Sequence, residues 1–133
     1  MRVADWPERM IDVIRGHELM SFSLGRSDCW CLAMDVVRAV TGSDPYAKAR
    51  RYSTAVGSRR VLRTEGFTSI EQALAAAFEA VPPALAQRGD LGVIETPEGQ
   101  AACVCEGVLW VGKGPAGVTR FSRDRVIAAF KVV

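Results

Sequence analysis

The hydrophobic period of this chain changes once, at VPPALAQRGD (residues 81–90), and that change confines what it can fold into. Upstream, apolar residues recur at helical spacing; downstream they fall in short runs cut by turn residues. Asp5, followed by Pro7 and Glu8, predicts a capped first helix with an apolar face of Met10, Ile11, Val13 and Ile14, up to Gly16. Cys29, Leu32, Ala33, Val36, Val37 and Val40 form one stripe ending at Gly42, the pattern of a central buried helix. TAVGSRRVLRTEG and TSIEQALAAAFEAV predict two more helices, the second opened by a Thr68/Glu71 capping box. Beyond Pro82-Pro83, the runs LGVIE, QAACVCE, VLWVG, GVTRF and AAFKVV predict about five antiparallel strands. The expected class is therefore α+β, with N-terminal helices packed on a C-terminal antiparallel sheet. One domain spans 1–133, with a helical half at 1–81 and a sheet half at 90–133.

Charge and cysteine usage narrow the function classes. Seventeen Lys+Arg against fifteen Asp+Glu leave a formal charge of +2, with the arginines distributed over several predicted elements, so no nucleic-acid partner is expected. Charges at positions 2, 5, 8, 9, 12 and 15 deny the opening stretch the apolar core of a signal peptide, and no later run is long enough to span a bilayer. The four cysteines form two C-x-C pairs, too sparse for a secreted disulfide scaffold and unlike the spacing of common zinc knuckles. Reduced thiols and no cofactor are the expectation. The alternative is a zinc or iron–sulfur site on Cys29, Cys31, Cys103 and Cys105, with Cys103 and Cys105 projecting from the strand face that looks toward Cys29.

Cys29 carries the sharpest chemical question. The loop GRSD delivers it to a helix N-terminus, where unpaired N–H groups and the helix dipole favour a thiolate. A nucleophile also needs a base within hydrogen-bond reach, a group to orient that base, and donors for an oxyanion. The chain holds one histidine, His17, at the end of the first helix; it reaches Cys29 only if that end folds over the cysteine loop, and otherwise is solvated or pairs with the helix dipole. Asp28 either orients a catalytic partner or caps the helix. Trp30 and Trp110 are candidates for a binding groove or interface, with core packing as the competing role. Asp90 is expected to close the turn into the first strand of the sheet half.

These residues resemble a known family. FSLGRSDCWCLAMDVVRAVTG is similar to the nucleophile segment of NlpC-like cell-wall peptidases, papain-fold enzymes whose G-x-x-D-C loop sets the catalytic cysteine at a helix start, and RGDLGVI resembles their G-D-L strand. The likeness to the small phage and gene-transfer-agent branch also takes in TGSDPYAKARRY and the closing AAFKVV. The resemblance implies a papain-like fold with Cys29 at the nucleophile position. It also implies a virion-tail setting, synthesis in a bacterial host cytoplasm, and partners among tail or hub proteins in a multi-subunit assembly. Where the family carries its catalytic histidine, this chain reads AACVCEG, so Ala101 takes the place of the base. Two functional expectations follow. One is a structural or adaptor subunit of a tail tip or hub that has kept the fold without the chemistry. The other is an active cysteine peptidase or amidase cutting peptidoglycan stem peptides, with His17 or a partner chain as base and Cys29 as nucleophile.

Overall fold

A computed structural model describes all of residues 1–133. Four helices come first: α1 (Trp6–Glu18), α2 (Cys29–Thr41), α3 (Ala55–Thr64) and α4 (Ile70–Ala77). Six strands follow: β1 (Glu79–Val81), β2 (Leu91–Thr96), β3 (Gly99–Cys105), β4 (Trp110–Gly114), β5 (Gly117–Phe121) and β6 (Ala128–Lys131). They form one antiparallel sheet in the order β1-β6-β2-β3-β4-β5. The α+β class is as expected, but the strands number six rather than five.

The additional strand is β1, inside the stretch read as the end of the fourth helix. α4 stops at Ala77 because Phe78 is already extended (φ −134°, ψ 151°) and Pro82 bars the helical region to the residue before it. Residues 79–81 then pair with β6, Ala80 opposite Phe130. Two caps also differ from expectation. Asp5 caps no backbone N–H of α1, and its Oδ1 instead accepts from the Arg9 side chain, Nε at 2.8 Å. The fourth helix is capped by Ser69, which accepts from the Gln72 backbone N–H, while Gln72 Oε1 accepts from the Thr68 N–H. The cap motif thus sits one residue later than Thr68/Glu71.

Strand alternation sorts the core into two clusters. Leu91, Val93, Ala102, Val104 and Val111 face the helices and pack with Leu32, Val36, Val37 and Val40 of α2, Met10 and Ile14 of α1, and Leu74 of α4. Ile94, Cys103, Cys105, Trp110 and Ala129 point to the opposite face, closed by Ala86 and Val126 from two flanking turns. The apolar stripe read on α2 is the centre of the first cluster, and each large aliphatic side chain withdrawn from water there contributes about 1.5–3 kcal/mol. Trp110 was a candidate for a binding surface; it is instead fully buried in the second cluster, with the Arg123 guanidinium 5.5 Å from its ring centroid.

Asp90 does more than close a turn. Its Oδ2 accepts from the Gln87 backbone N–H at 2.8 Å, while Oδ1 accepts from the Val132 N–H at 3.1 Å and from Arg2 Nη2 at 3.0 Å. One buried carboxylate thereby joins both ends of the chain to the start of β2.

Gly92 is where the second cluster tolerates nothing larger. A Cβ there would lie 2.6 Å from Trp110 Cζ3 and 2.9 Å from Val126 Cγ1. Gly92→Ala should therefore lower stability by about 1–3 kcal/mol in urea unfolding. Gly112→Ala, whose Cβ would meet nothing closer than 3.5 Å, should stay within about 0.5 kcal/mol of the parent.

Candidate functional site

The cysteine loop is built by a short antiparallel bridge in which Ser23 and Ser27 exchange backbone hydrogen bonds of 3.0 and 2.8 Å. Gly25 turns the loop with φ 84°, and a Cβ there would fall 2.1 Å from the Tyr52 carbonyl oxygen, so the loop packs directly on the backbone of the segment before α3. Asp28 then caps α2. Its Oδ1 accepts from the Cys31 N–H at 2.8 Å, and its Oδ2 accepts from the Gly25 N–H at 2.9 Å and the Tyr52 hydroxyl at 2.6 Å. Both carboxylate oxygens are committed to the loop, the helix and the tyrosine, and neither orients an imidazole.

Cys29 is the first residue of α2 and is half-buried, with its sulfur turned inward against the Ala102 amide of β3. The helix start thus faces QAACVCE, as its apolar character predicts. The residue opposite the sulfur differs from expectation, however. Ala101 pairs with Ile94 and shares its face of the sheet, away from α2, whereas Ala102 belongs to the helix-facing cluster. Alternation therefore gives Ala102, not Ala101, the place across from Cys29.

Burial pushes the Cys29 thiol up to about 11, with the Asp28 carboxylate adding to the effect and the Ala102 amide opposing it. A helix dipole worth about 0.3–1 kcal/mol does not overcome that desolvation. Cys29 is a neutral thiol at physiological pH. The other three cysteines are buried: Cys31 in the helical layer, its thiol raised to about 12, and Cys103 and Cys105 on the far face of β3. The convergence of Cys103 and Cys105 on Cys29 does not occur, because the strand turns their side chains away from α2. No three His, Cys, Asp or Glu side chains are grouped so as to hold a metal ion.

His17 is neither solvated nor beside Cys29. It is 4% exposed, with Nδ1 2.8 Å from Ser27 Oγ and Nε2 2.7 Å from Asp35 Oδ2. Burial raises the Asp35 carboxyl, but hydrogen bonds from His17 and Arg50 more than offset it and hold the group below the ordinary carboxylate range. As an ionised acceptor, Asp35 accepts a hydrogen bond from Nε2–H, leaving Nδ1 to pair with the Ser27 hydroxyl. Ser27 Oγ in turn accepts from Lys113 Nζ at 2.5 Å, and the same ammonium donates at 2.6 Å to the His17 and Met20 carbonyls at the end of α1. At the other end, Arg50 joins Asp35 (2.7 Å) to Asp44 (3.1 Å). This chain of contacts ties β4, α1, the cysteine loop and α2 together.

Sequence reasoning missed Lys113, Asp35, Arg50 and Tyr52 as parts of this arrangement. Two signals were present: Asp35 interrupts the apolar run LAMDVV of a buried helix, and Lys113 sits in an otherwise apolar strand.

Above Cys29 lies a cleft of about 390 Å³. Trp30, Tyr46, Phe67 and Ile70 give it apolar walls, Tyr52 lies near Asp28, and Gln100 enters from β3. Trp30 and Tyr46 meet with ring centroids 5.5 Å apart, and Tyr46 meets Phe67 edge-on at 6.1 Å. Trp30, a candidate binding residue, therefore does line a groove. The volume lies in the range of small-molecule and peptide side-chain sites.

Fold and site together define an α+β domain with a cysteine-headed helix under an aromatic cleft. The chain belongs to the family described as Domain of unknown function (DUF6950), whose profile matches residues 1–132. No curated protein matches the chain.

With the other three thiols buried, alkylation reports on Cys29. Iodoacetamide should modify it slowly at pH 7.5, with the rate climbing through pH 10 toward a midpoint near 11. His17→Ala should leave that profile in place while costing about 1–3 kcal/mol in stability, because it strips partners from Ser27 and Asp35. A midpoint below pH 8 that depends on His17 would contradict this geometry.

Proposed function

We propose that this domain is a non-hydrolytic structural or adaptor subunit, built on a papain-like fold of the NlpC type and working at the tip or hub of a phage or phage-like tail. The observation that carries the reading is the state of its one candidate nucleophile. Cys29 is a high-pKa thiol, and the chain's only imidazole has both nitrogens bonded to Ser27 and Asp35. In cysteine hydrolases the base and nucleophile act as a unit, and loss of either removes about three to six orders of magnitude in rate. A neutral, half-buried thiol facing an alanine backbone does not attack an amide at a useful rate.

Support for the architectural half of the reading is the helix-then-sheet order, the cysteine at the start of the central helix, and the seating of that cysteine on the second long strand. A cleft survives above the sulfur, so the domain has a surface for recognition without the means to cut. The tail setting and its neighbouring proteins follow from the sequence resemblance, and pull-down from assembled particles is the way to identify them.

Incubation with peptidoglycan sacculi and with free stem peptides should release no new amine above background, and wild type should equal Cys29→Ser in mass-spectrometric detection of products. Release that requires Cys29, from the isolated chain or from an assembled particle in which a neighbour supplies a base, would replace the adaptor reading with the peptidase one.

A further inference from the structure

Charge is segregated along this chain more sharply than its total implies. Residues 47–64 hold Lys48, Arg50, Arg51, Arg59, Arg60 and Arg63 and no carboxylate, leaving eleven cations against fifteen carboxylates elsewhere. Five of the fourteen arginines fall in this one segment, a local concentration within a wider scatter. Arg50 is neutralised by Asp35 and Asp44, and Arg51 by Glu65 at 3.5 Å. Lys48, Arg59, Arg60 and Arg63 are exposed and form no ion pair.

Three of these four define one side of α3. Positions 56, 59, 60 and 63 follow helical i, i+3, i+4, i+7 spacing, so Val56, Arg59, Arg60 and Arg63 share a face. The adjacent face, with Ala55, Ser58 and Leu62, lines the cleft, and Arg59 stands on the border and lines it too. α3 contributes no fully buried residue and packs extensively on no other helix or strand. An amphipathic helix so lightly held by its own domain leaves its cationic face continuous with an apolar, aromatic groove.

We infer that α3 and the cleft together form a docking site for an acidic polypeptide segment of a partner protein. The partner's Asp and Glu side chains would lie along Arg59, Arg60 and Arg63, and one apolar anchor would sit between Trp30 and Leu62. Charge complementarity selects an anion, and the groove selects the kind. A segment bearing carboxylates beside an aliphatic or aromatic side chain satisfies both surfaces, whereas an oligonucleotide with its phosphates on the arginines and its bases stacked on Trp30 and Tyr46 would leave Leu24, Leu62 and Ile70 without an apolar partner. Of the charged groups lining the cleft, Asp28 is bonded to the loop, α2 and Tyr52, and Glu65 pairs with Arg51, which leaves Arg59 to attract and Glu98 to repel the carboxylates of the entering segment. The inference rests on the cleft being a recognition surface rather than a hydrolytic one.

Fluorescence anisotropy on the full chain tests it, using labelled dodecapeptides rich in Glu and Asp around a single Phe, Leu or Trp. The comparison sets carry Gln and Asn for the acids or Ala for the anchor, and a poly-dT oligonucleotide serves as the nucleic-acid probe. Acidic, anchored peptides should bind and should lose about tenfold or more in affinity when either the acids or the anchor is removed, and likewise at high salt. R59E/R60E/R63E should abolish that binding and R59K/R60K/R63K should retain most of it, both variants keeping the parent's circular dichroism and melting temperature. Absence of binding by any acidic peptide, binding that survives the charge reversal, or preference for the oligonucleotide would overturn the inference. Cleavage of a bound peptide by wild type but not by Cys29→Ser would instead overturn the adaptor reading and leave the acidic site standing.

Discussion

The single imidazole of this protein is built into a buried chain of contacts, and the character of the site depends on that engagement. Lys113, Ser27, His17, Asp35, Arg50 and Asp44 are linked in sequence by contacts of 2.5–3.1 Å. The formal charges of the two cations, Lys113 and Arg50, balance those of the two carboxylates, Asp35 and Asp44, and the hydrogen bonds between them offset their desolvation. The order Ser–His–Asp resembles a hydrolase triad on paper, but Ser27 is 0% exposed and its oxygen is held by an ammonium. The chain fastens the end of α1 and the cysteine loop to the sheet, and it does so with the group that a peptidase would need elsewhere.

From that constraint the rest follows in order. The loop is fixed, so Asp28 caps α2 and holds Tyr52; α2 is fixed, so Cys29 meets β3 at the Ala102 amide. With no cation or imidazole beside it, the sulfur experiences desolvation and a neighbouring carboxylate, both of which favour the neutral thiol. The helix N-terminus alone is too weak to reverse that. What remains above the sulfur is a shaped, aromatic cleft with a cationic helix on its border, a combination suited to recognition.

Much of this was legible in the residues, because the apolar periods are strong. The stripe of α2 with Gly42 as its left-handed cap (φ 91°), the loop before Cys29 and five of the six strands follow from local pattern. The short strand at 79–81 was not legible: three residues after a helix carry no period of their own, and their pairing with β6 is a long-range event. The side of β3 that faces Cys29 was likewise out of reach, since a one-residue change in register exchanges Ala101 for Ala102. Nor does a sequence disclose that Asp35 and Ser27 claim the histidine, because the partners come from three separate segments. Trp110 was ambiguous for a different reason: aromatic residues serve cores and interfaces equally well, and only its position opposite Cys105 decides for the core.

Because the chain has one histidine, nitrogen-15 NMR of the imidazole tests the central claim without ambiguity. Both ring-nitrogen shifts should be unchanged when Cys29 is replaced by Ser or capped with iodoacetamide, and should move when Ser27→Ala or Asp35→Asn removes a partner. Ring-nitrogen shifts that respond to Cys29 and ignore Ser27 and Asp35 would show an imidazole paired with the sulfur, and would contradict the account.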